Sequence, residues 1–167
     1  MSDTETIIFL YRLKSGTGFM LSVNPLDSGP GGQLILATAD TAELAQLWQL
    51  VFFPPTQACL LYNPFYNVYA APSDMTQGAP IVLCSALDTT FSDTTTWQVQ
   101  PAGSDAIRTP ADTTLNMNAL GTTWQAGTKI GLWSWGGGQP NETWTPQMEQ
   151  MLGGFPAPLG TQQSRFR

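Results

Sequence analysis

Histidine is absent from this chain of 167 residues, and that absence removes most catalytic options. Ser-His-Asp and Cys-His nucleophile systems both need an imidazole to move the proton, and the commonest metal ligand goes with it. The other reactive groups are sparse. Cys59 and Cys84 are the two cysteines; they make no disulfide framework and read as buried free thiols. Asp88 and Asp93 are the candidate carboxylate pair for glycoside hydrolysis, but they stand in a Thr-rich polar stretch and read as a solvated acidic loop. Gly136-Gly137-Gly138 follows a strand-like segment and opens onto Gln139-Pro140, where a phosphate cradle would open onto a helix. These residues point to no enzyme and no cofactor. Tryptophan is plentiful, six in all, and it supplies core and binding surface.

Three of the six are periodic. Trp48, Trp97 and Trp144 recur at intervals of 49 and 47 residues. A fixed period of this size is the mark of a repeat architecture. An apolar run precedes each tryptophan at a matching offset: Gly32–Leu36, Gly78–Leu83 and Gly127–Trp133. Further back lies a strand-like triplet, Leu21-Ser22-Val23, Val68-Tyr69-Ala70 and Leu115-Asn116-Met117, beginning 27, 29 and 29 residues before its tryptophan. A fourth apolar stretch opens each unit at Ile7–Tyr11, Cys59–Tyr62 and, more weakly, Ala106–Arg108. Each unit therefore reads as four short strands, twelve in all. Turn signals separate them, among them Asn24-Pro25, Ser28–Gly32, Ser73-Asp74 and Gln139–Asn141. A single helical turn fits 41–46, and a short helix fits 146–152. Twelve strands in three equal units predict an all-β barrel with pseudo-threefold symmetry, because closure leaves no exposed sheet edge.

Bulk composition agrees with many short strands. Charged residues are only 11%, against roughly a quarter in ordinary domains, while hydrophobic residues reach 42%. Net charge is −6 with six basic residues that form no dense patch, so a nucleic-acid partner is not expected. No apolar run approaches the roughly 18 residues of a spanning helix, so membrane insertion is not expected. The acidic start, Met1–Glu5, lacks the basic flank of a secretory signal, which predicts a cytoplasmic protein. Residues 1–150 are expected to form one domain, with repeats at about 7–52, 57–101 and 105–147, and 148–167 an extension.

The third unit carries a recognisable phrase. Gly127-Thr128-Lys129-Ile130-Gly131-Leu132-Trp133, followed by Gly136–Gln139, Pro140-Asn141-Glu142-Thr143-Trp144, resembles the ricin B-type β-trefoil lectin repeat. That family carries a Leu-Asp-Val triplet, then Gly-Thr-x-Val-Gln-Leu-Trp, then Asn-Gln-x-Trp. Gln46-Leu47-Trp48 keeps the literal Gln-x-Trp; the second and third units keep its tryptophan. Lacking the family's repeat disulfides, the chain is more similar to intracellular fungal-type and bacterial members than to the plant toxin chain. The resemblance implies a β-trefoil of three four-strand repeats, with a shallow sugar site available to each.

Sugar recognition needs an aromatic face for the C–H side of the ring and planar polar groups for vicinal hydroxyls. By the resemblance, the third repeat places Asn116 at the family's acid, Trp133 at the stacking aromatic, Asn141 at the hydroxyl-binding amide and Glu142 at the adjacent Gln. Gly131 stands where the family often carries a side chain, so its backbone would serve. Strand alternation supports an outward Trp133, since Leu132 should face in. Asn118 and Trp124 could line the rim, and Trp135 reads as packed. The first repeat offers Ser22, Ala37 and Ala45 at the three site positions, and the second offers Tyr69, Cys84 and Asp93 or Thr94, with Tyr69 a conceivable substitute aromatic. One site, in the third repeat, is therefore expected. The resemblance implies a non-catalytic lectin for galactose- or N-acetylgalactosamine-bearing glycans of glycoproteins or glycolipids, with defence a known use of such proteins. The alternative is a β-trefoil protease inhibitor acting through loops 24–32 or 52–57. The apolar tail over 155–160 could pack across the barrel or mediate a homodimer.

Overall fold

The computed structural model describes residues 8–53, 56–88 and 91–152. Within them, alternating apolar and polar residues form twelve strands: β1 (Ile8–Ser15), β2 (Met20–Val23), β3 (Leu34–Ala37), β4 (Gln49–Phe52), β5 (Ala58–Asn63), β6 (Val68–Pro72), β7 (Ile81–Ser85), β8 (Trp97–Val99), β9 (Ile107–Arg108), β10 (Leu115–Ala119), β11 (Ile130–Ser134) and β12 (Trp144–Leu152). The helical pieces among these residues are single 3-10 turns at Leu44–Gln46, Ala86–Asp88 and Pro101–Gly103. The first falls inside the helical turn expected at 41–46. None of them is long and apolar enough to cross a membrane.

Six strands close into a ring. β12 pairs with β1, β4 with β5, β5 with β8 and β8 with β9, all antiparallel. Tyr11 and Trp48 exchange backbone hydrogen bonds of 2.8 Å to join β1 to the start of β4, and the Trp144 N–H donates to Asp105 O at 2.7 Å on the other side. The other six strands form three hairpins, β2–β3, β6–β7 and β10–β11. Bridges Gln33–Val82, Ile35–Lys129 and Pro80–Gly131 lock the hairpins to one another as a cap. This is the β-trefoil: three repeats of four strands around one core.

The periodic tryptophans are that core. Trp48, Trp97 and Trp144 are fully buried. Each indole N–H donates to a backbone carbonyl 27 residues earlier: Leu21 O at 3.1 Å, Ala70 O at 2.8 Å and Met117 O at 2.9 Å. A buried indole needs such a partner, and here the partner sets the register of each repeat. Leu36, Leu83 and Leu132 stand opposite those three carbonyl residues in their hairpins. The true equivalents of Leu21-Ser22-Val23 are therefore Ala70-Ala71-Pro72 and Met117-Asn118-Ala119. The triplets read from sequence in the second and third repeats sit two residues too early. A two-residue slip keeps every side chain on its face, so alternation alone could not reveal it.

The stretch 146–152 is a strand and not the short helix expected from its Gln, Met and Glu content. It continues β12 along β1, from Ser15–Trp144 to Ile8–Leu152, with a register shift between Leu10 and Tyr11. Pairing with the open edge of β1 outweighs a weak helical preference. Buried Arg12 on β1 ties this corner together. Its guanidinium donates to Gln46 Oε1 at 2.9 Å and to Thr41 O at 3.0 Å, and its Nε lies 3.5 Å from the Glu149 carboxylate on β12. The tail over 155–160 lies outside the described residues.

Candidate functional site

The cap hairpin of the third repeat and the loop entering β12 enclose a cavity of about 340 Å³, lined by Asn118, Ala119, Leu120, Gly121, Thr122, Trp133 and Asn141. That is near the lower end of the range for small-ligand sites. β10 supplies Asn118 and β11 supplies Trp133. Leu132 is fully buried, and alternation turns Trp133 outward with 45% of its surface exposed. The Trp133 ring edge lies beside Gly78 of the second repeat, whose N–H bonds Leu132 O at 2.7 Å. On the rim, Trp124 packs against the core and donates its indole N–H to Gly121 O at 3.2 Å.

Asn141 is clamped to β10 twice. Its carbonyl accepts from the Ala119 N–H at 2.8 Å. Its Nδ2 donates to Ala119 O at 3.2 Å and to Asn118 Oδ1 at 3.1 Å. Asn118 Nδ2 in turn donates to Asn116 O at 3.2 Å. Backbone carbonyls only accept, so both amides are fixed with nitrogen toward the backbone. Asn141 Oδ1 accepts no hydrogen bond among the described residues and remains as an acceptor for a ligand hydroxyl. No lining side chain is charged. The site thus offers a half-exposed indole face, an oriented acceptor and an apolar wall.

Three of the five residues expected at this site have other tasks. Asn116 lies opposite Trp133 but is fully buried; its Oδ1 accepts from Arg108 Nε at 3.2 Å and its Nδ2 donates to Thr114 O. The residue facing the cavity is Asn118, two positions on, as the indole–carbonyl register requires. Gly131 is buried opposite Asn118 and offers the cavity no backbone group; its missing side chain leaves room for Leu120. Glu142 is buried at 2% exposure. Its carboxylate accepts from the N–H groups of Gly136 at 2.8 Å, Gly138 at 2.7 Å and Gln139 at 2.9 Å. The glycine run is therefore an anion nest filled by the chain's own carboxylate, and Glu142 shapes the loop that carries Asn141. Trp133 and Asn141 do meet at the cavity. Sequence reasoning passed over Leu120 and Thr122 and left Asn118 on the rim; the 27-residue interval of the first repeat, applied to all three, would have placed Asn118.

The other repeats lack this arrangement. In the first, Ser22 is buried with its hydroxyl donated to Val23 O at 2.7 Å, and Ala37 stands where Trp133 does. In the second, Ala71 and Cys84 take the places of Asn118 and Trp133. Tyr69 offers no stacking face: it is 4% exposed, in a cluster with Val51, Leu60 and Ala71. Burial raises the Cys84 thiol above its ordinary pKa against a hydrogen bond from Tyr69, and burial pushes Cys59 up to about 12. Both cysteines are free. Asp88 and Asp93 are exposed, and no cluster of three His, Cys, Asp or Glu able to hold a metal occurs among the described residues.

Fold and site together define a β-trefoil whose third repeat carries a neutral surface cavity walled by Trp133. No protein-family model matches the sequence, and no curated protein matches it significantly. Solved structures share its fold. A designed three-fold symmetric protein, ThreeFoil, superposes with a TM-score of 0.72 at 17% identity, over 82% of this chain and 96% of that one. The Rhizoctonia solani agglutinin gives 0.71 at 15% identity, over 85% and 96%. The C-half of the earthworm R-type lectin, solved in complex with GalNAc, gives 0.65 at 18% identity, over 84% and 99%. At these identities the likeness is one of fold.

Proposed function

We propose that this protein is a non-catalytic lectin whose third repeat binds galactose- or N-acetylgalactosamine-type residues of glycans. The observation that carries the reading is the placement of the exposed Trp133 indole and the unpartnered Asn141 Oδ1 on one cavity. A pyranose can lay its C–H face on the indole and donate a hydroxyl to the amide oxygen. The earthworm lectin half of the same fold was solved with GalNAc, which supports the sugar class. One shallow site binds weakly, so avidity would come from multivalent glycan display.

A glycan array with the purified protein tests this. Binding to a coherent set of terminal galactose or N-acetylgalactosamine structures, lost in Trp133→Ala, is the expected result. Trp133 is half-exposed, so that variant should keep the wild-type unfolding temperature within a few degrees. A silent array at high protein concentration sinks the proposal and turns attention to the protease-inhibitor alternative. Unfolding of Trp133→Ala would show that the indole is structural.

A further inference from the structure

We infer that the third-repeat cavity selects sugars that present a methyl group, seated against Leu120. This rests on the lectin reading and specifies the ligand more narrowly. The first observation is an interlock. A Cβ on Gly131 would lie 2.7 Å from Leu120 Cδ1, 3.1 Å from Cδ2 and 2.9 Å from Ala79 O. Gly131 has no positive φ, so backbone freedom does not explain a glycine there. It is there for space, and Leu120 takes that space. Leu120 is held by its N–H to Lys129 O at 2.9 Å and lines the cavity.

The second observation concerns the polar groups around it. Asn118 spends its nitrogen on Asn116 O and receives Asn141 on its oxygen. Both Asn141 amide protons are donated within the protein. Asn141 Oδ1 remains as an acceptor, the polar Thr122 also lines the cavity, and Ala119 and Leu120 are its aliphatic lining residues. A hydroxyl pressed against Leu120 gives up water for a side chain that offers no hydrogen bond, while a methyl there gains contact. The methyl can come from the acetamido group of an N-acetylhexosamine or from C6 of a 6-deoxyhexose. Both put a methyl beside a hydroxyl able to donate to Asn141.

The test is calorimetric titration of the full chain with free galactose, N-acetylgalactosamine and 6-deoxygalactose, so that the parent sugar carries no methyl group. Burial of one methyl should tighten binding about fourfold for at least one methyl-bearing sugar over the parent. Which one does so identifies the source. In Leu120→Asn, nearly isosteric, the affinity ratio of methyl-bearing to parent sugar should fall to about one. Wild-type protein gives a second readout that needs no variant: nuclear Overhauser contacts from the ligand methyl to the Leu120 methyls. Equal binding of all three sugars, or a preference unchanged in Leu120→Asn, overturns the inference and leaves the lectin reading intact. No binding of any of the three, with a silent array, overturns both.

Discussion

Replacing Asn118 by Asp changes one atom type at the heart of the site and should make the protein sensitive to pH. Asn118 is 2% exposed, its Oδ1 accepts from Asn141 and its Nδ2 donates to Asn116 O at 3.2 Å. An aspartate keeps the first bond but turns a second oxygen toward the Asn116 carbonyl, where two acceptors then face each other. A protonated acid donates to that carbonyl and restores the bond. The folded state therefore holds the proton, and the pKa rises above its unfolded value of about 3.9; a rise of about 2 units is worth roughly 2.7 kcal/mol. The sign follows from proton counting. Between about pH 4 and pH 6 the unfolded side chain has lost its proton while the folded one keeps it, so stability falls as pH rises through that window. Urea unfolding of Asn118→Asp and wild type at pH 4 and pH 7.5 measures this. The two should agree within about 0.5 kcal/mol at pH 4 and differ by about 2–3 kcal/mol at pH 7.5, with equal m-values. A difference that does not change with pH would show that Asn118 is not bonded to Asn116 O in solution, and the orientation of Asn141 deduced from it would fall as well.

Other perturbations probe the scaffold. Glu142→Gln loses the second carboxylate oxygen and turns an amide N–H toward the donors of residues 136–139; it should cost about 1–3 kcal/mol by thermal unfolding and, under the proposed lectin function, weaken sugar binding through Asn141. Trp48→Phe, Trp97→Phe and Trp144→Phe each strand one buried carbonyl, costing about 1–3 kcal/mol for the lost partner beyond the packing change, and the three losses should agree within about 1 kcal/mol if the repeats are energetically equivalent. With a thiol reagent at pH 8, Cys84 should react slowly and Cys59 only on unfolding, since burial holds the Cys59 pKa near 12. Above pH 9 the unfolded Cys59 ionises first, so stability should fall as pH rises from 9 toward 12, and Cys59→Ala should flatten that slope.

The fold was readable because the core repeats and the surface does not have to. Trp48, Trp97 and Trp144 stand near a common period, and a large fully buried side chain leaves little tolerance for drift. β9 was the weakest strand in the sequence and is the shortest in the structure, two residues long. The helix expected at 146–152 failed because β12 answers to a partner more than a hundred residues away, which no local pattern reports. Motif and alternation pointed to Trp133 and Asn141, and the structure brings the two to one cavity. Asn116 was chosen over Asn118 because a strand's period of two makes the choices equivalent until a hydrogen bond breaks the tie. Glu142 lies buried beneath three backbone donors, which a carboxylate next to an asparagine does not signal in the sequence.

The cavity of the third repeat has no counterpart at the matching positions of the other two, and core and cavity positions are coupled differently. Each periodic tryptophan fixes its own hairpin through a carbonyl 27 residues away, and the hairpins lock to one another through Gln33–Val82, Ile35–Lys129 and Pro80–Gly131. Losing any one disturbs the cap of all three. The site positions have no such coupling. In the first repeat Ala37 and Ala45 remove both the stacking face and the amide while the barrel stays intact. In the second, the same face has become extra core: Ala71 packs with Val51, Leu60 and Tyr69, with Phe53, Tyr62 and Cys84 against them. The position of buried Asn116 tells the same story, since its equivalents by register are Met20 and Tyr69, and all three are buried at 5% exposure or less. That position supports the hairpin in every repeat, whatever the fate of the site above it. Truncating it should therefore destabilise the fold in all three repeats, whereas truncating Trp133, or enlarging Ala37 to Trp, should leave stability within about 1 kcal/mol of wild type.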